Sequence, residues 1–129
     1  MTIEAELFQF LTTNAALSGL LADRLYPKQL PQNPIYPAIV YHRISGARDY
    51  SHDGSGNRAE PRFQFDCYDR THVGAKALAE GLRLALSGYR GPMGTVDVQS
   101  AFLEDDDDGY DDDMKVYWYR MDFAIAHVE

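Results

Sequence analysis

Arg62-Phe63-Gln64-Phe65-Asp66-Cys67-Tyr68 alternates residue by residue, with Phe63, Phe65 and Cys67 on one side and Arg62, Gln64, Asp66 and Tyr68 on the other. Successive side chains of a strand point to opposite faces, so this stretch predicts a strand with one face in a core and one face polar. Residues 114–127 repeat the pattern at greater length. Tyr117, Tyr119, Met121, Phe123 and Ile125 share one face, and Val116, Trp118, Arg120 and Asp122 share the other. Two further strands are predicted, over Ala38 to Ser45, rich in β-branched and aromatic residues, and over Thr95 to Leu103.

Helical periodicity brackets these strands. Leu7, Phe8 and Leu11, then Leu17, Leu20 and Leu21, form an apolar stripe from about Ile3 to Ala22. Thr2 is a candidate cap at its start, and Glu4 and Glu6 suit the positive end of the helix dipole. The weak helix formers Thr12-Thr13-Asn14 interrupt the stripe, and Asn14 is a good cap for a second short helix. Thr71 to Ser87 is the clearest helix, with Leu78, Leu82 and Leu86 on one side, small Ala75 and Ala79 allowing close approach to a sheet, and Gly88 as its stop. Pro27, Pro31, Pro34 and Pro37 predict an extended connector. Gly46 to Asn57, with Asp53-Gly54-Ser55-Gly56-Asn57, predicts the mobile tip of a long hairpin. The order helix, strand, strand, helix, strand, strand predicts an α+β fold: a four-stranded, largely antiparallel sheet with helices packed on one face. At 129 residues and 45% hydrophobic content, one domain spanning residues 1–129 is expected.

The charge is concentrated. Glu104, Asp105, Asp106, Asp107, Asp108, Asp111, Asp112 and Asp113 place eight carboxylates in ten positions with no basic residue among them. The other twelve of the 20 acidic side chains balance the 12 basic ones, so this segment carries the whole net charge of −8. Self-repulsion predicts an exposed, extended loop, whether merely solvated, functional as an electrostatic surface, or binding a cation. Ca²⁺ takes six to eight oxygens, but the fixed loop pattern with a central Gly and a closing bidentate Glu is missing. The basic residues are scattered, which disfavours sequence-specific nucleic-acid binding. No apolar stretch approaches the roughly 20 residues needed to span a bilayer, and no basic-then-apolar leader is visible. Cys67 is the single cysteine, so no intrachain disulfide forms and a reducing compartment is expected.

Candidate chemistry is sparse. Cys67 shares a face with Phe63 and Phe65, which predicts a buried structural thiol rather than a nucleophile. His42, His52, His72 and His127 lack metal-ligand spacing, so no metal, cofactor or catalytic residue is assigned and no enzyme is expected. With helices on one side only, Val116 and Trp118 would lie exposed unless a loop or the proline-bearing connector covers them. Together with Arg120, and with Arg48 and Tyr50 of the long hairpin, they form the candidate interface, since aromatic residues and Arg are enriched where subunits meet.

Several local patterns occur together in a familiar order: Asp23-Arg24-Leu25-Tyr26-Pro27 after the helical pair, Tyr41-His42-Arg43-Ile44-Ser45-Gly46, and Arg62 to Tyr68 before an Ala-rich helix. Val98-Gln99-Ser100, the acidic residues near Glu104-Asp105, and Tyr119-Arg120-Met121-Asp122-Phe123 continue it. In this order the chain resembles the tail-completion family of long-tailed phages, prophages and gene-transfer particles, over nearly its whole length. The resemblance implies a tail terminator, or tail-to-head joining protein. Such a subunit would form a ring, expected to be hexameric, between the tail-tube protein and a head or neck connector protein, with DNA passing through. Assembly in the host cytoplasm and retention in the particle tail follow from that role. The Asp run is heavier than the family leads one to expect. A calcium-dependent binding module using the Asp segment is the alternative from a different class.

Overall fold

The computed structural model describes residues 3–48 and 58–128. Helices α1 (Ile3–Thr12) and α2 (Ala15–Leu21) open the chain. The joint between them is where expected: the Asn14 side chain accepts hydrogen bonds from the amides of Ala16 and Leu17 at 3.1 and 3.2 Å. Thr2 lies outside the described residues. Strands β1 (Leu25–Pro27), β2 (Ala38–Arg48) and β3 (Arg58–Asp69) follow, then α3 (His72–Leu86), capped by the Thr71 hydroxyl on Gly74 N–H. Strands β4 (Gly91–Met93), β5 (Val96–Asp111) and β6 (Val116–Val128) complete the order. Gly88 follows α3 with a φ of 79°, a left-handed conformation that lets the chain leave the helix without a Cβ clash.

The sheet has six strands in the order β1-β2-β3-β6-β5-β4, which corrects the expected four. The four long strands β2, β3, β6 and β5 are antiparallel neighbours as predicted. Two three-residue strands extend the edges: β1, parallel to β2 over Ile39–Tyr41, and β4, antiparallel to β5 over Val96–Val98. Both are too short and too rich in Gly and Pro to show a periodicity of their own. Pro27 ends β1 at the sheet margin, where a missing N–H costs no ladder bond.

All three helices contribute to a core on one sheet face. Leu7 and Leu11 from α1, Leu17 and Leu21 from α2, and Leu78, Leu82 and Leu86 from α3 meet Ile39, Phe63, Phe65, Cys67, Met121, Phe123 and Ile125. Phe65 and Phe123 pack edge to face with centroids 5.9 Å apart. Cys67 is fully buried, and burial first, then the neighbouring Asp66 charge, pushes its thiol far above its ordinary pKa. It is the structural thiol the alternation predicts.

The acidic segment is not a loop. Glu104 to Asp108 and Asp111 lie in β5, which pairs with β6 up to Asp111↔Val116, and only Asp112 and Asp113 fall in the connecting turn. Strand preference depends on context. Here the partner is the aromatic run Tyr117-Trp118-Tyr119, while the acidic side chains reach solvent at an edge, so pairing outweighs the poor strand propensity of Asp. The turn is held by Asp111, whose Oδ1 accepts the amides of both Asp113 and Met114 at 2.9 Å.

Candidate subunit interface

The sheet face without helices carries most of the side chains singled out in the sequence. Asp66, only 4% exposed, lies at its centre on β3. Its Oδ1 accepts the Arg120 Nε–H at 3.0 Å from β6, and Oδ2 faces His42 Nε2 at 3.5 Å from β2. Gln64 donates to both oxygens at 3.3 and 3.4 Å. A buried carboxylate is costly unless paired and hydrogen-bonded, and three neighbours on three strands meet that demand here. The bond to Asp66 in turn raises the Arg120 pKa above its ordinary value.

Arg120 also lies over the Trp118 ring, its guanidinium carbon 4.9 Å from the centroid. The indole in turn spans the opposite strand at Gly109, its cross-strand partner, where a Cβ would stand 2.4 Å from the ring. Trp118 is half-buried for this reason, and Arg120 remains exposed. Val116 is fully buried within the chain, which corrects its expected exposure. The proline-bearing connector does reach this end of the face. Leu30, Pro31, Pro34, Val40, Tyr68 and Met114 help line a groove of about 420 Å³ there. Burial, followed by the Asp66 charge, pushes the Tyr68 phenol up to about 12. Of the predicted tip Gly46 to Asn57, Gly46, Ala47 and Arg48 instead fall in β2, with Arg48 opposite Ala59, and residues 49–57, Tyr50 among them, lie outside the described residues.

The carboxylates of β5 alternate across the strand. Asp106 and Asp108 lie on the helix side, where Asp106 accepts the Tyr119 hydroxyl at 2.8 Å and Asp108 lies 3.1 Å from His72 Nε2. Asp105 and Asp107 lie on the other side, opposite Asp122 and Arg120. Their Oδ1 atoms take the amides of the next residues, Asp106 and Asp108, at 2.9 and 2.8 Å. A Ca²⁺ site needs its oxygens to converge, and a strand splits them between two faces. Among the described residues, no group of three or more His, Cys, Asp or Glu side chains is placed to hold a metal ion.

Sequence reading missed the Asp66 cluster. Its only signal was a carboxylate on the polar side of one strand and an Arg on the polar side of another, and the Asp66↔Arg120 register is needed to bring them together. The same holds for His72 and Asp108, 36 residues apart.

A two-layer α+β domain, with one sheet face sealed by helices and the other carrying a polar and aromatic array beside a long acidic edge, is a structural subunit suited to meeting other proteins. It belongs to the family of tail completion protein gp17, whose model matches residues 5–127, and is thus a structural component of a phage-type tail. A chain from the solved structure of the virion of a native gene transfer agent (GTA) particle has the same fold. The two superpose with a TM-score of 0.80 at 16% identity, over 98% of this chain and 95% of the other. No curated protein matches the chain.

Proposed function

We propose that this chain is one subunit of a ring, expected to be hexameric, that ends the tail tube and joins it to the head or neck, with DNA passing through. The observation that carries the reading is the outer edge of β5. β4 covers it only over Val96–Val98, and the Gly88 amide then binds the Ala101 carbonyl at 2.8 Å. From Phe102 to Asp111 no described strand pairs with it. A long open edge is a liability for a free protein and a ready contact for an assembled one. Family membership over almost the whole chain supports a tail role, and the shared fold with a virion chain supports use within a particle. Host cytoplasm during assembly and the particle tail afterwards are the compartments this role requires. Native mass spectrometry and light scattering of the chain, alone and mixed with tail tubes, test the proposal. A ring is expected in at least the second condition, and a strict monomer in both would refute it.

A further inference from the structure

Two edges of the sheet are open, and they differ in charge. On β5, Phe102 to Asp111 carries Glu104, Asp105, Asp106, Asp107, Asp108 and Asp111, and no basic residue. On the opposite margin, β1 covers β2 only as far as Tyr41, with the Lys28 amide closing on the Tyr41 carbonyl at 2.9 Å. From His42 to Arg48 no described strand pairs with the outer side of β2, and this stretch carries Arg43 and Arg48 and no carboxylate. Each open stretch also leaves large apolar side chains in water: Phe102 is 58% and Tyr110 46% exposed on β5, and Ile44 50% exposed on β2. Resting on the ring reading above, we propose that copies of this chain join head to tail by pairing the open edge of β5 in one with the open edge of β2 in the next.

The topology permits this directly. Three antiparallel steps separate β2 from β5, so the two strands run in opposite directions within one sheet. A second copy set beside the first in the same orientation brings its β2 antiparallel to β5, and the ladder continues. Charge selects this contact over the twofold one. Two β5 edges facing each other would place one acidic run against another, and like charges opposite one another in a sheet are destabilising. A heterologous contact repeats around a ring, whereas a twofold contact stops at a dimer.

The free edge is guarded as well as charged. The amides of Asp106 and Asp108 are occupied by the carboxylates of Asp105 and Asp107. A neutral strand must displace those caps without compensation. A strand bearing guanidinium groups compensates: Arg43, which reaches α1, lies on the helix side of the sheet, the side on which Asp106 and Asp108 offer carboxylates for charge-assisted bonds. Arg43 is already held by Glu4 at 3.1 Å, and its planar head retains further donors.

Charge exchange tests the pairing. Asp106→Lys with Asp108→Lys, and separately Arg43→Glu with Arg48→Glu, are each expected to lower the ring fraction on tail tubes about tenfold or more. An equimolar mixture of the two variants is expected to restore rings, because every contact in an alternating ring is again between opposite charges. Melting curves check that each variant folds. Should the Lys pair fail to fold, Asp106→Asn with Asp108→Asn weakens the same edge and is expected to lower the ring fraction less steeply. Wild-type rings accompanied by undiminished rings from both folded variants would overturn the edge pairing and leave the ring reading standing. Heterodimers without rings in the mixture would show twofold pairing of β5 and overturn the head-to-tail contact. Wild type without rings on tail tubes would remove the ring reading itself.

Discussion

Gly94→Ala is expected to be among the most damaging small substitutions in this chain. Gly94 turns from β4 into β5 with a φ of 61°, and a Cβ there would stand 1.1 Å from Glu6 Oε2 and 2.3 Å from the carboxylate carbon. Glu6 is 6% exposed on α1, and the same oxygen accepts the Thr95 amide at 2.9 Å. A methyl group at position 94 therefore forces the carboxylate away from the Thr95 amide. The left-handed conformation costs an alanine about 1–2 kcal/mol. Losing a hydrogen bond to a buried charged group adds about 1.5–3 kcal/mol. The stiffer unfolded chain returns about 0.4–1 kcal/mol. The net expectation is a loss of about 2–4 kcal/mol, which lowers the melting midpoint by roughly 10 °C in a domain of this size. Circular dichroism melts and urea titration measure it. The cause is isolated by a cycle with Glu6→Ala: with the carboxylate absent the clash vanishes, so the double variant should be more stable than the summed singles by about 1–2 kcal/mol. A Gly94→Ala midpoint within about 2 °C of wild type, or strict additivity, would refute the reasoning.

Asp122 is held above its ordinary pKa chiefly by burial, with Arg62 acting against the shift and Asp105 adding to it. A carboxyl raised on folding binds its proton more tightly in the native state, so it burdens the fold above that raised value and ceases to do so as pH falls through it. Asp122→Asn should therefore raise stability near neutral pH, with the gain fading in acid; a stability loss at neutral pH would count against the account. Tyr68 and Tyr119 are raised from 10.0 to about 12, the first mainly by burial and the second mainly by its bond to Asp106. Their contribution to stability is full below pH 10 and is lost as pH climbs toward 12, and the late part of the tyrosinate absorbance titration should shrink in Tyr119→Phe.

The alternation in Arg62 to Tyr68 and in β6, the stripe of α1 and α2, and the cap at Asn14 were all readable because each is a local signal with its own period. The two short edge strands were not, since three residues hold no period and their existence depends on the neighbour they line. The acidic segment misled for a related reason: eight carboxylates look unpaired in sequence, and their place in a strand depends on the aromatic partners that β6 supplies. Val116 was read as exposed from face parity alone, which cannot register how the chain closes over that end of the sheet. The Asp66 cluster unites three strands, so it becomes visible only with the register between them.

β6 is made after every other strand in the sheet, yet it lies at the centre, between β3 and β5. Until it is synthesised, the strands can pair only as two separate pieces, β1-β2-β3 and β5-β4, with no strand between them. The β5 edge proposed to meet a neighbour is thus completed only with β6, because β6 supplies its backing and the Trp118 and Tyr119 contacts that hold it. Prematurely terminated chains lack that strand and present no correctly set edge. A ring of the proposed kind would in this way be protected from incorporating fragments, with the order of translation serving as its quality control.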